Sequence, residues 1–145
     1  MGRRYLTSGR PFMVDWDESC SVKVVRFDDD HKQMFSLINK LHTAMLRGKG
    51  ALAVQETVAQ ITNHAQGHFA GEEAMMEKTK FPELASHRLE HQEFVKRLEQ
   101  FQRQIEMGNF VSSVTLADFL DKALMAHTKS TDQKYSQHLN ANGIF

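Results

Sequence analysis

The sequence holds little that would staple, kink or charge it. One cysteine, Cys20, stands among 145 residues. No internal disulfide can form, and the chain suits a reducing, cytoplasmic compartment. There are 2 prolines, Pro11 and Pro82, so long stretches are free of the residue that breaks helices. Neither sign of charge prevails, since 18 basic and 18 acidic residues cancel. Without a basic excess, nothing points to nucleic acid or an anionic membrane as a partner. No apolar run is long enough to span a bilayer. The opening Gly2-Arg3-Arg4-Tyr5-Leu6-Thr7 has the paired arginines of an export signal, but Ser8-Gly9-Arg10-Pro11 follows where an apolar stretch belongs. These residues read as a solvated extension, and export is not expected.

What is present is helical periodicity. A chain of this length is expected to form one domain with a real core. Apolar residues recur at helical spacing in four segments. The first spans residues 29–47, with Met34, Phe35, Ile38, Leu41 and Met45 inward, and ends at Gly48 and Gly50. The second spans 51–78, with Val54, Val58, Ile61, Phe69 and Met76, and is broken by Phe81-Pro82. The third spans 83–107, with Leu84, Phe94, Leu98, Phe101 and Ile105, and stops at Gly108-Asn109. The fourth spans 113–139, with Leu116, Phe119, Leu120, Leu124 and Tyr135. Short connections make neighbours antiparallel, so the expected fold is an all-α, up-down-up-down four-helix bundle. Residues 1–28 are expected to form a non-helical arm with Trp16 packed on the bundle, 29–139 the bundle, and 140–145 a tail. Asp28, Asp29 and Asp30 are expected to cap the first helix and favour its dipole.

Seven residues are spaced like ligands of a two-metal site: His31, His68, Glu72, His87, His91, His127 and Asp132. Helix positions i and i+4 differ by only about 40°, so His68 and Glu72 share a face, as do His87 and His91. Asp132 lies five residues past His127, about 140° round, and reaches a common site only if both side chains swing inward. In an antiparallel bundle all seven belong to one end. Two six-coordinate ions offer twelve positions. Five imidazoles, two bridging carboxylates and one oxo or hydroxo bridge fill eleven and leave one open. Imidazole with carboxylate suits iron, whereas a structural zinc wants a closed tetrahedron. The chain has no Glu-x-x-His pair of the carboxylate-rich di-iron bundles.

In these residues the sequence resembles the hemerythrin family, in particular its single-domain bacterial members. The stretch His68-Phe69-Ala70-Gly71-Glu72-Glu73-Ala74-Met75-Met76 resembles the family's His-Phe-x-x-Glu-Glu-x-x-Met signature. Phe81-Pro82 with His87-Arg88-Leu89-Glu90-His91 resembles its next block, and Asp28-Asp29-Asp30-His31 with Asn39 and Leu41 its first. The resemblance implies a non-haem di-iron centre that binds dioxygen reversibly. It implies that His87, His91 and His127 hold one iron. His31 and His68 would hold the other, which keeps the open position. Leu124 would cover the oxygen pocket, with Met76, Phe69 and Met34 expected to fill space around it. Where members carry Trp-Leu-x-x-His and then an aliphatic residue, this chain has Ala123-Leu124-Met125-Ala126-His127-Thr128. A ring is replaced by a methyl and a hydroxyl is added, which implies a wetter pocket and a shorter-lived oxygen complex.

The other polar residues have plainer readings. His64 sits one turn before His68, about 5.4 Å along the axis, and is expected behind the ligands instead of among them. His42 is expected to be unrelated to the site, His138 to lie on the surface, and Glu73, about 100° round from Glu72, to be solvated or to stand behind the ligands. The methionines read as core filler. The leading expectation is a non-enzymatic oxygen-binding protein for storage, scavenging or delivery to an oxygen-using enzyme. An oxygen or redox sensor with a signalling partner, and a di-iron peroxidase or nitric-oxide-handling enzyme, are the alternatives.

Overall fold

In the computed structural model the described residues are 14–48, 50–108 and 113–145. Residues 1–13 of the expected arm and Asn109 of the expected stop lie outside them. The described residues contain a short 3₁₀ turn, Glu18–Cys20, and helices α1 Val25–Leu46, α2 Ala51–Lys78, α3 Leu84–Glu106, α4 Ser113–Ala126 and α5 Asp132–Ala141. A π-helical turn, His127–Thr131, joins α4 to α5. Together these three pieces form the fourth rod of an all-α bundle, and no strand occurs among the described residues. The ends that meet show the antiparallel order. His31 near the start of α1 faces Glu72 near the end of α2. Gln55 at the start of α2 donates to the Ile105 carbonyl at the end of α3 (3.3 Å).

Local chemistry explains most of the boundaries. After α2 the chain turns through Lys80 at φ 56°. The Phe81 amide bonds the Met76 carbonyl (2.8 Å) and the Lys80 amide the Glu77 carbonyl (3.1 Å). This is a Schellman closure, and Pro82 then prevents any continuation. The start of α1 differs from expectation. It opens at Val25, not Asp29, and its cap Val24 makes no side-chain bond. Asp28 faces back to the arm instead, accepting from the Val22 amide (2.8 Å) and the Ser21 hydroxyl (2.6 Å). A carboxylate inside the first turn still favours the helix dipole, but the helix needs no polar cap because the arm is fastened to it. Asn39 holds the Val14 backbone at both its N–H and C=O (2.9 and 2.8 Å). Side chains of Gln133, Ser136 and Asn140, one stripe of α5, donate to the carbonyls of Ser21, Val22 and Lys23. Trp16 packs on the core as expected, with Lys32 Nζ 4.4 Å above its ring.

The core is in two parts. A larger apolar cluster runs through Met34, Ile38, Leu41, Val58, Ile61, Phe69, Phe94, Leu98, Leu116, Leu120 and Leu124. A smaller one holds Val22, Val24, Phe27, Met76, Phe81, Tyr135 and Leu139. On every helix the expected ligands fall between the two: His31 between Phe27 and Met34, Glu72 before Met76, His91 before Phe94, and His127 with Asp132 between Leu124 and Tyr135. The polar layer is therefore closed off above and below by dry packing.

Candidate metal centre

All seven expected ligands are buried, with Glu72 and Asp132 at 0% exposure. They form two groups that share Glu72. One is Glu72, His87, His91, His127 and Asp132, and the other is His31, His68 and Glu72. Within each group the candidate donor atoms lie within 4.8 Å of one another. Both carboxylates straddle the groups. Glu72 Oε1 is 3.2 Å from His91 Nε2, while its Oε2 is 3.1 Å from His68 Nε2 and 3.5 Å from His31 Nε2. Asp132 Oδ1 is 3.0 Å from His87 Nε2 and 2.9 Å from His127 Nε2, while its Oδ2 is 3.3 Å from His31 Nε2.

The π turn is what admits Asp132. An α-helical register would leave it far round from His127. The π turn takes in one more residue, and the Asp132 amide bonds the His127 carbonyl, an i to i+5 link. Across such a turn, residues five apart stand as residues four apart do in an α-helix.

Three of the imidazoles are backed by carboxylates. His68 Nδ1 donates to Asp30 Oδ2 (2.9 Å), His91 Nδ1 to Glu73 Oε2 (2.7 Å), and His127 Nδ1 to Glu90 Oε1 (2.9 Å). An ionised carboxylate only accepts, so each Nδ1 carries the proton and each Nε2 presents a lone pair. The consequence is visible at His91 and His127, whose Nε2 atoms face each other at 3.0 Å. Two lone pairs at that distance repel unless a cation lies between them. His68 Nε2, His87 Nε2, Glu72 Oε1 and both Asp132 oxygens are likewise buried without a hydrogen bond. So many orphaned acceptors in one layer are costly for a bare protein. A pair of cations satisfies them, so the donor set fits two metals.

Protonation substitutes for metal in the bare chain. Burial acts to lower the basicity of His31, but Asp132 and Glu72 beside it lift it to about 10. For His127 burial is likewise outweighed by Asp132 and Glu90, which raise it to about 9. Burial would raise Glu72 and Asp132, yet the surrounding imidazoles hold both carboxyls below their usual range. Tyr135, in the smaller apolar cluster, donates its hydroxyl to Glu72 Oε2. Burial and the two carboxylates push its phenol well above its ordinary value.

The remaining expectations resolve as follows. His64 is in neither ligand group. It donates to the Asp30 carbonyl (2.9 Å), with its ring parallel to that of His68 at 6.3 Å. His42 is buried in α1 outside both groups. His138 is half-buried instead of lying free on the surface: it ties the end of α2 by donating to the Thr79 carbonyl (2.8 Å) and packs on Phe81. Glu73 does turn away from Glu72, but into a bond with His91 and with Arg88. Phe69 stacks on the His91 ring at 3.8 Å, and Met34 and Leu124 belong to the same larger cluster, whereas Met76 lies in the smaller one, away from the expected pocket. Ala123 lines a groove of about 370 Å³ between α3 and α4 that reaches His127, with Phe94, Phe119 and Ala126. Thr128 is fully buried and its hydroxyl has no partner.

The sequence of residues 22–139 matches the family profile described as the hemerythrin HHE cation binding domain. The chain belongs to the hemerythrin family. It is 28% identical to a bacteriohemerythrin of Stenotrophomonas maltophilia, over 90% of this chain and 84% of that protein. It is also 28% identical to a myohemerythrin of Theromyzon tessulatum, over 89% of this chain and 96% of that one. The crystal structure of a wild-type hemerythrin superposes with a TM-score of 0.82 at 26% identity, covering 88% of this chain and 98% of that one. The cation-binding label agrees with the buried ligand layer. Asp30, Glu90 and Tyr135 are the parts of this site that the sequence did not announce as such, whereas Glu73 takes the supporting one of its two expected places.

Proposed function

We propose that this hemerythrin binds dioxygen reversibly at a non-haem di-iron centre held by His31, His68, Glu72, His87, His91, His127 and Asp132. The observation that carries the reading is the straddling of both buried carboxylates, each offering one oxygen to each imidazole group. A ferrous pair held by these residues would supply the electrons that reversible dioxygen binding borrows and returns.

The residues do the rest. Three imidazoles and two carboxylate oxygens serve one side, but two imidazoles and two carboxylate oxygens the other, so the His31 and His68 side offers one protein donor fewer and would leave room for dioxygen. Asp30, Glu73 and Glu90 fix the tautomers of three imidazoles, so that His68, His91 and His127 turn Nε2 to the metals. Tyr135 orients Glu72 from below. Leu124, Phe69 and Met34 exclude water from above, where bulk water would promote loss of reduced oxygen. Ala123 and Thr128 make that cover less complete. His64, the one candidate acid or base expected beside the layer, is engaged with the Asp30 carbonyl, and the Tyr135 hydroxyl with Glu72, which favours holding oxygen over transforming it. Storage, scavenging or delivery within the cytoplasm suits such a chain, and no helix among the described residues is long and apolar enough to cross a membrane.

The test is anaerobic loading with ferrous iron, exposure to air, and return to argon while visible spectra are recorded. The reading expects a charge-transfer band that rises in air and falls under argon over repeated cycles. A band that never forms, or one that forms once and is consumed with turnover of a peroxide substrate, contradicts it.

A further inference from the structure

We propose that Glu90 is a positioning residue that clamps the π turn and so sets the reach of Asp132. One oxygen, Glu90 Oε1, accepts from His127 Nδ1 (2.9 Å) and from the Thr131 hydroxyl (2.8 Å). His127 is the first residue of the π turn and Thr131 the last. A single atom on α3 thus spans the whole turn. Burial does not hold Glu90 there, since its side chain is 47% exposed, so these bonds do.

The clamp matters because the π turn is a local departure from the preferred register. An inserted residue of this kind persists only where surrounding contacts over-determine it. If the five residues relaxed to α-helix, Asp132 would rotate away from His127, and its 2.9 Å approach to His127 and 3.3 Å approach to His31 would be lost together. The other two backing carboxylates act differently. Asp30 orients one imidazole on a regular helix, and Glu73, although it also accepts from Arg88 on the same helix as His91, acts on regular α-helix with no π turn to hold. A second support comes from Gln133, which donates to the Thr128 carbonyl inside the turn (3.2 Å) and to the Ser21 carbonyl of the arm (3.0 Å). Gln133 satisfies the turn's backbone, whereas Glu90 fixes its two ends.

The inference rests on the di-iron reading, and the experiment separates the two. Wild type, Glu90→Ala, Glu90→Gln and Thr131→Val are titrated anaerobically with ferrous iron against a chelator. Amide exchange at Asp132 is measured in the metal-free proteins. Loss of such outer contacts typically costs about 10–100-fold in metal affinity, and Glu90→Ala is expected to show that loss together with faster Asp132 exchange. Glu90→Gln keeps an acceptor oxygen for both donors and should recover most of the affinity and the slow exchange. Thr131→Val frees one end only and should fall between. Should Glu90→Ala not fold, Thr131→Val decides alone. Wild-type affinity and exchange in Glu90→Ala or Thr131→Val overturns the clamp, as does a Gln variant no better than Ala. A wild type that takes fewer than two irons overturns the di-iron reading, and the clamp is then judged by exchange at Asp132.

Discussion

Removing one oxygen atom, by Tyr135→Phe, isolates the support beneath Glu72. Tyr135 is fully buried, and its ring contributes to the smaller apolar cluster and meets Phe27 edge-on. Phenylalanine keeps that ring and volume, so no cavity term arises. What is lost is a hydrogen bond to a buried carboxylate, and bonds to charged groups contribute about 1.5–3 kcal/mol. The oxygen that loses this donor still has His68 Nε2 at 3.1 Å and His31 Nε2 at 3.5 Å. The loss therefore belongs at the lower end, about 1.5 kcal/mol. For a domain of this size each kcal/mol moves the midpoint by about 2–4 °C, so a drop of about 3–6 °C is expected in the metal-free protein. Thermal and urea unfolding, followed by helical circular dichroism, measure it. A companion readout is the phenol itself, whose raised pKa keeps Tyr135 neutral until the bundle opens. A variant as stable as wild type, or a Tyr135 phenolate that ionises in the folded state near pH 10, refutes the claim that this hydroxyl holds Glu72.

Other perturbations have equally definite outcomes. With His31 raised to about 10 and His127 to about 9, their stabilisation of the metal-free bundle is complete below about pH 6.5 and lost as pH rises through those values. Urea midpoints of the metal-free protein should fall over that window, and iron loading, which replaces the protons, should flatten the fall. The depressed Glu72 and Asp132 carboxyls act oppositely, stabilising above their ordinary range and ceasing to do so only in strong acid. Thr128→Val removes a buried hydroxyl that has no partner while keeping its shape, so the midpoint should hold or rise. A loss above about 1 kcal/mol would show that the hydroxyl is bonded in solution. Ala123→Trp should fill the groove of about 370 Å³ that reaches His127 and lengthen the life of the band formed in air, whereas unchanged decay would show that water enters elsewhere.

The bundle and the clustering of the seven candidate ligands were readable because both depend on helical periodicity. His68 with Glu72 and His87 with His91 needed only the i, i+4 rule. Asp132 looked misaligned because a π turn has no signature in the periodicity, and only its neighbours Glu90 and Gln133 disclose it. Of the backing carboxylates, Asp30 and Glu90 escaped, and Glu73 was left between two readings, for a related reason. Asp30, Glu73 and Glu90 each sit next in sequence to an inward ligand, His31, Glu72 and His91. A side chain turned about 100° from the core faces the flank of its helix. In a bundle that flank meets the neighbouring rod, so α1 supports His68 on α2, α2 supports His91 on α3, and α3 supports His127 in the fourth rod. An acidic residue beside a ligand is thus the signal to look for. The start of α1 was set too late because Asp28 resembles a cap, while its partners Val22 and Ser21 lie in an arm whose path no local rule specifies.

The central claim is that Glu72 and Asp132 each touch two metal ions. Iron per chain, measured after anaerobic loading of wild type, Glu72→Gln and Asp132→Asn, tests it most directly. The account predicts two irons per wild-type chain, and loss of both together in either variant, because each carboxylate neutralises and joins the pair. A single tetrahedral zinc in the wild type, or two irons with an unchanged spectrum in either variant, contradicts it.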